Sequence, residues 1–330
     1  MSAPTTAPAA AKAPAEVVTR SISQDVHLPG VDRPLVLITL DNGHDHTRPT
    51  TLGLAGLTSL QEALTTARDR AAAGGISAVA VTGKPFFFLA GADLTMAAGG
   101  GGREDAVRIG ALGHDVYRML GELAVPSFGF VNGAALGGGV ELALHCTYRT
   151  ISSGVPAVAL PECFLGILPG WGGTYLLPNL VGPATALEVI ITNPLSNNRM
   201  LNGPKAFRMG MADAMFEPAD FLERSLEWAG DVLTGKVAVE RATVPNGGVA
   251  RDEATWTAAL AEARAAADAK VHGAAPSYYR ALDLVALART ADRDTAFAAE
   301  TEGLADLIVS PEFANGLYAF DLVNKRAKRP

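Results

Sequence analysis

Val131-Asn132-Gly133-Ala134-Ala135-Leu136-Gly137-Gly138-Gly139-Val140-Glu141-Leu142-Ala143 leads from one apolar run, through a triple glycine, into a second apolar run that carries a single carboxylate. The residues just before it, Ser127–Val131, read as a buried strand, and the glycines read as a turn opening a short helix from Val140. The start of a helix leaves backbone N–H groups without partners, and glycine lets an anion approach them. Ala90-Gly91-Ala92-Asp93 is a second tight loop after a strand that could offer another amide, and two amides converging on one oxygen make an oxyanion hole. Glu141 falls in the first turn of the helix, where a carboxylate is favoured. Glu162, in Leu160-Pro161-Glu162-Cys163-Phe164-Leu165, is again one acid among apolar residues. Burying an unpaired carboxylate costs several kcal/mol, so such a group is hydrogen-bonded or neutralised by a raised pKa. Two carboxyls in one apolar pocket can act as an acid/base pair, one ionised while the other keeps its proton. The competing reading of each is a capping or ion-paired glutamate.

The surrounding composition sharpens this. The chain has 330 residues, 18% charged and 48% hydrophobic, with 34 acidic and 27 basic side chains and a net charge of −7. That balance argues against a nucleic-acid footprint or a basic membrane-surface protein. Residues 123–198 hold only four charges, Glu141, Arg149, Glu162 and Glu188, where an average share would put about 14. The charge-free run 163–187 contains Pro169, Pro178, Pro183 and five glycines, a density no continuous membrane helix carries, so no membrane span is expected. Two cysteines, Cys146 and Cys163, cannot build a disulfide scaffold and fit a reducing, cytoplasmic setting.

Along the chain, residues 1–15 are an Ala/Pro/Thr leader with no apolar periodicity, expected to be disordered. Strands are predicted over 36–40, 78–82, 127–131, 149–152 and 155–159, and helices over 55–73, 104–124 and from Val140. Phe86-Phe87-Phe88 is read as a loop. Alternation of strands and helices predicts α/β architecture with parallel pairing. The core is placed at 16–232, a Gly/Pro/Val-rich connector at 233–250, and a helical subdomain at 251–330, with helices over 258–270, 277–291 and 294–309. The final Lys325-Arg326-Ala327-Lys328-Arg329-Pro330 reads as a solvated end.

Three motifs in order carry a family resemblance. Phe88-Leu89-Ala90-Gly91-Ala92-Asp93-Leu94 resembles the first oxyanion-hole loop of the crotonase (enoyl-CoA hydratase/isomerase) superfamily. The stretch from Val131 to Ala143 resembles its second loop. Leu160-Pro161-Glu162 through Leu168-Pro169-Gly170-Trp171-Gly172-Gly173-Thr174 is similar to its third. The likeness covers 36–226 and implies a repeated ββα spiral core. Residues 270–330 look like the linker of the multifunctional fatty-acid oxidation α subunit, which there leads into a 3-hydroxyacyl-CoA dehydrogenase domain.

The resemblance implies an enzyme of fatty-acid β-oxidation that adds water to trans-2-enoyl-CoA. The backbone amides of Ala92 and Gly138 form the oxyanion hole, Glu162 protonates C2, Glu141 activates the water that adds at C3, and the Gly170 amide places that water. Ala92, Asp93, Leu94, Thr95 and Gly138 are the implied CoA contacts, with Lys84, Arg103, Lys325 and Arg326 as candidates for the phosphates. No separate cofactor and no metal are expected, CoA being part of the substrate. The implied assembly is a homo-oligomer, fused or bound to a dehydrogenase domain. A Δ3-Δ2-enoyl-CoA isomerase is the alternative, and a non-catalytic CoA-binding or assembly module the third reading.

Several residues depart from the family pattern or invite other readings. Leu89 replaces a common small residue, loop 42–51 with His44 and His46 is longer, Gly99-Gly100-Gly101-Gly102 extends the first loop, and Tyr175-Leu176 replaces a polar pair. His44 and His46 lack a third metal ligand at a known spacing. His145, Cys146 and Cys163 read as packing residues. Trp171 reads either as an acyl-pocket wall or as a core aromatic, and Arg149 as paired within the core to Asp93 or a backbone carbonyl.

Overall fold

The charge-free runs become inner strands. In the computed structural model, which describes residues 16–93, 102–239 and 251–327, one sheet runs in the order β1 (Arg20–Val26), β2 (Leu35–Asp41), β3 (Ala78–Gly83), β5 (Ser127–Val131), β7 (Tyr148–Ser152) and β9 (Ala214–Phe216). A second, three-stranded sheet holds β4 (Phe87–Leu89), β6 (Ala134–Leu136) and β8 (Val158–Ala159). Among the described strand pairs only β1 against β2 is antiparallel. Every residue of β3 and β5 is buried, as expected of parallel strands covered on both faces. In β3 the small Ala78 and Ala80 face a secondary cluster with Phe221 and Ala229, and Val79 and Val81 face the main core.

The helices are α1 (Leu54–Ala72), α2 (Arg103–Glu122), α3 (Gly138–His145), α4 (Glu162–Leu165), α5 (Gly173–Val181), α6 (Phe221–Leu233), α7 (Glu253–Val271), α8 (Pro276–Leu287), α9 (Arg293–Ile308) and α10 (Pro311–Ala327), with shorter helical turns between α5 and α6. The chain advances as a spiral. Each turn lays one strand in the large sheet, one in the small sheet and then a helix: β3, β4, α2; β5, β6, α3; β7, β8, α4. This is the ββα repeat implied by the motifs. Its consequence for function is that the loops after β4, β6 and β8 all leave one edge of the small sheet.

Local chemistry explains where the sequence reading was incomplete. Phe87 and Leu89 form a strand rather than a loop, pairing with Ala134 and Ala135 across a register shift. The strand predicted over 155–159 is confined to its last two residues. Val155 N–H turns back to the Ser152 carbonyl at 3.1 Å, and Pro156 has no N–H to give a ladder. The edge strand β1 was not foreseen, because its side chains are mostly exposed and show no apolar alternation. Just before it, Glu16 accepts the Ala55 and Gly56 amides at 3.0 and 2.9 Å, capping α1 from a distance where Gly53 has no side chain to do so. The leader 1–15 and most of the connector, residues 240–250, lie outside the described residues.

Of the helices after residue 251, α7 and α9 start on aspartate caps, which accept the Thr255 N–H (to Asp252) at 2.8 Å and the Thr295 N–H (to Asp292) at 2.7 Å. They pack on the spiral: α9 lies along α2 and α10 against α4. Exposed ion pairs tie α9 to α2, among them Arg118 with Asp294 at 2.9 Å and Arg103 with Asp306 at 2.8 Å; such pairs contribute little individually. Among the described residues no helix is long and apolar enough to cross a membrane.

Candidate active site

Two glycine loops meet at the edge of the small sheet. Gly137 has φ +52°, and a Cβ there would stand 2.4 Å from Glu162 Oε1, so both backbone shape and space exclude any other residue. A Cβ on Gly91 (φ +84°) would stand 3.2 Å from the Gly138 nitrogen, which shows how closely the first loop abuts the start of α3. The flanking amides are engaged: Ala90 N–H with the Thr50 carbonyl at 2.7 Å, Asp93 N–H with Leu52 at 2.9 Å, and Gly137 N–H with Ala159 at 2.8 Å. Ala92 and Gly138 line a cavity of about 220 Å³ that also holds Glu141, Glu162, Gly170 and Trp171.

The two carboxyls differ in their surroundings. Glu141 Oε1 accepts the amides of Trp171 and Gly173, both at 2.8 Å. Burial pushes its pKa up to about 7, against the pull of those two amides. Glu162, at the N-terminus of α4, has an Oε2 atom with no hydrogen-bond partner among the described residues. Its pKa is driven well above the usual carboxylate range, first by burial and then by the nearby Glu141. One cavity thus holds an acid poised near neutrality, a second whose proton affinity burial and Glu141 raise, and the helix start at Gly138.

Residues 34–277 match the family described as enoyl-CoA hydratase/isomerase. The chain belongs to the enoyl-CoA hydratase/isomerase family. The fatty acid oxidation complex subunit alpha of Shewanella loihica is 38% identical over 164 residues, 49% of this chain and 22% of that protein. The crotonyl-CoA hydratase of Syntrophomonas wolfei is 39% identical over 153 residues, 46% of this chain and 56% of that protein. The chain therefore spans about a fifth of the length of the first relative and just over half of the second. The carnitinyl-CoA dehydratase of Mycobacterium thermoresistibile superposes with a TM-score of 0.64 at 22% identity, over 92% of this chain and 90% of that one, a likeness of fold.

In this hydratase/isomerase family member, Leu165, Ile167, Leu168 and Ile109 give the cavity its apolar wall, and Leu304 and Ile308 of α9 join them. A Cβ on Gly170 would stand 2.3 Å from Leu304 Cδ2, so the third loop and α9 are in direct contact. Trp171 is both a core aromatic and a cavity wall. Its indole N–H donates to the Ile109 carbonyl at 3.3 Å, and the ring occupies the space that a side chain on Gly113 would need.

Of the other residues singled out, some fall as expected and some elsewhere. Lys84 is buried, and its ammonium donates to Asn42 Oδ1 at 2.7 Å and to the His44 and Asp45 carbonyls at 3.0 and 2.8 Å. All three donors are used inside loop 42–51, so it organises that loop rather than waiting for a phosphate. Arg103 is paired with Glu302 and Asp306. Asp93 lines the cavity, whereas Leu94, Thr95 and the side chains of Lys325 and Arg326 lie outside the described residues. Arg149 meets a backbone carbonyl, that of Cys146 at 2.7 Å, but its carboxylate neighbour is Asp213 at 3.7 Å instead of Asp93. Glu188 pairs with Lys205 at 2.8 Å. Cys146 and Cys163 are buried, and burial lifts the Cys146 thiol to about 12, so both serve packing.

Glu300 escaped the sequence reading. It is fully buried on α9, accepts the amides of Gly172 and Thr174 and the Thr174 hydroxyl, and lies 3.5 Å from His114. Burial, with Glu141 adding to it, lifts its pKa to about 8. His114 stacks on Phe297 at 4.3 Å, and burial lowers its pKa to about 3. A lone acid in a charge-poor stretch is conspicuous, but Glu300 shares its helix with Arg293, Asp294, Glu302 and Asp306. The available signal was helical phase: Phe297, Glu300, Leu304 and Leu307 fall on one buried stripe.

Proposed function

We propose that this chain adds water across the double bond of a trans-2-enoyl-CoA to give a 3-hydroxyacyl-CoA. The observation that carries this reading is the pair Glu141 and Glu162, with different proton affinities, sharing one cavity with the adjoining loops of Ala92 and Gly138. The thioester carbonyl sits at the Ala92 and Gly138 amides, which gain strength as the oxygen takes negative charge. Glu141, near neutrality, takes a proton from water as the oxygen bonds to C3. Glu162, protonated, delivers a proton to C2 as the π electrons return from the enolate oxygen. The Gly170 amide helps place the water. Proton exchange between the carboxyls and water restores both states, so one water is consumed for each substrate.

The reaction takes no cofactor beyond the CoA carried by the substrate. The apolar wall of Leu165, Ile167, Leu168 and Leu304 suits an acyl chain. The relatives' place in fatty acid oxidation supports a functional partner that oxidises the 3-hydroxyacyl product, a 3-hydroxyacyl-CoA dehydrogenase.

The test follows the enoyl-thioester absorbance after mixing with crotonyl-CoA and longer homologues. Decay is expected; a flat trace at every chain length with enzyme in excess would end this reading. The second reading, proton transfer between C2 and C4 by Glu162 as an isomerase, draws on the unpaired Glu162 Oε2. It predicts turnover of a 3-enoyl-CoA that survives the substitution Glu141→Gln.

A further inference from the structure

Four consecutive amides divide between two carboxylates. Trp171 and Gly173 donate to Glu141 at 2.8 Å each, while Gly172 and Thr174 donate to Glu300, Thr174 at 3.0 Å, with the Thr174 hydroxyl as a further donor. Gly172, at φ +109°, lies between the two donors to Glu141. The segment is therefore held by two carboxylates at alternate amides. A peptide that rotates to leave Glu300 also turns the neighbouring amide away from Glu141.

Glu300 comes from α9, more than a hundred residues later than the loop it holds. Around it stand His114 from α2, with both ring nitrogens lacking a hydrogen bond, the Phe297 ring, and beyond them His145 of α3, whose Nε2 meets the Trp171 carbonyl at 3.0 Å, while the carboxyls of Glu141 and Glu162 are close enough to interact with it electrostatically. No lysine or arginine lies within ion-pair distance of Glu300 among the described residues. A buried carboxyl without a cation is costly unless its acceptor sites are filled, and those sites are filled by loop 171–174.

The geometry points to Glu300 as a positioning residue for Glu141: held on α9, it fixes loop 171–174 so that the alternate amides aim at the Glu141 carboxylate. This role rests on the hydration reading for its catalytic consequence. It also makes α9 part of the machinery that the three glycine and glutamate loops otherwise supply alone.

The experiment compares wild type, E300Q, T174V, E141Q and the double variant E141Q/E300Q in crotonyl-CoA hydration and in amide hydrogen exchange of the segment 171–174. Glutamine keeps the volume of Glu300 but sets an N–H against an N–H. E300Q is expected to lose about 10–100-fold in kcat, with KM held within about threefold, as for a residue that orients another. T174V, which removes one donor, is expected to lose about fivefold. In the E141Q background E300Q should cost no more than about twofold, because its effect passes through Glu141. Exchange at 171–174 should rise about tenfold in E300Q. Independent, additive losses in the double variant, or wild-type exchange and turnover in both E300Q and T174V, would overturn the proposal while hydration stands. Wild-type turnover in E141Q overturns the hydration reading instead, and the exchange rates then decide whether Glu300 holds the loop. Should E300Q not fold, T174V supplies the same two readouts.

Discussion

The spiral core and the helices after residue 251 build opposite sides of one cavity by different means. The core side is made of glycine corners: Gly91 and Gly137 with positive φ, Gly138 at the head of α3, and two acids in a stretch almost without charge. The helical side is made of packed side chains: Leu304 and Ile308 line the cavity, and Glu300, on the same stripe, meets the third loop behind it. Backbone shape at the core brings Ala92 and Gly138, the proposed donors to a reacting oxygen, to one cavity. The helical side closes the cavity and grips the third loop. Chemistry needs the first, while dryness and precision come from the second.

Substitutions can break or sharpen that contrast. The largest effects belong to the core acids: Glu141→Gln and Glu162→Gln should each lower turnover by about 10²–10⁴, with folding retained. Wild-type rates in either would reduce that residue to a cap. Next, Gly138→Ala sets a Cβ 2.6 Å from the Trp171 ring and so displaces the proposed oxyanion donor. A loss of about 10² in kcat is expected by steady-state kinetics, and an unaffected rate would remove the Gly138 amide from the mechanism.

On the helical side, Leu304→Ala should leave the acids intact but open the acyl wall. The ratio of kcat/KM for a longer over a shorter enoyl-CoA should rise about tenfold, with a stability loss of about 2–5 kcal/mol. No change in the ratio would show that α9 does not bound the acyl chain. The smallest effect is one of pH. Glu141 and Glu300 have pKa values raised from 4.5 to about 7 and about 8, so the folded state holds more protons than the unfolded chain between about pH 4.5 and 8. Stability that is fully present below the unfolded value is then lost as pH rises through the folded ones. The melting temperature should fall across this window, and the fall should be shallower in E141Q; an equal slope would mean that Glu141 titrates like an exposed carboxyl.

Much of the core side was legible in the sequence, for a physical reason. A buried acid in a charge-poor run, and a glycine triplet between strand and helix, are local signals: the strand Ser127–Val131 stands as predicted, and Glu141, Glu162 and Gly138 line one cavity. The helical side was less legible because its role depends on contacts over long separations. Glu300 meets Thr174 across 126 residues, and only its helical phase with Phe297, Leu304 and Leu307 separates it from the surface acids Glu302 and Asp306. Lys84 misled in the opposite way. A lysine at a loop edge is usually solvated, but here three acceptors of loop 42–51 fold over it. The edge strand β1 went unread because pairing with β2, and not side-chain pattern, creates it.

The register shift in β4 has a consequence at the scale of single bonds. Phe87 pairs with Ala134 and Leu89 with Ala135, so Phe88 is an extra residue inserted between two adjacent rungs. A strand advances about 3.3 Å per residue, whereas donors must be held within about 0.5 Å of their target. Phe88 thus works as a spacer one residue thick. It sets the phase between the loop that bears Ala92 and the loop that bears Gly138, and their coincidence at one point in space is a matter of counting.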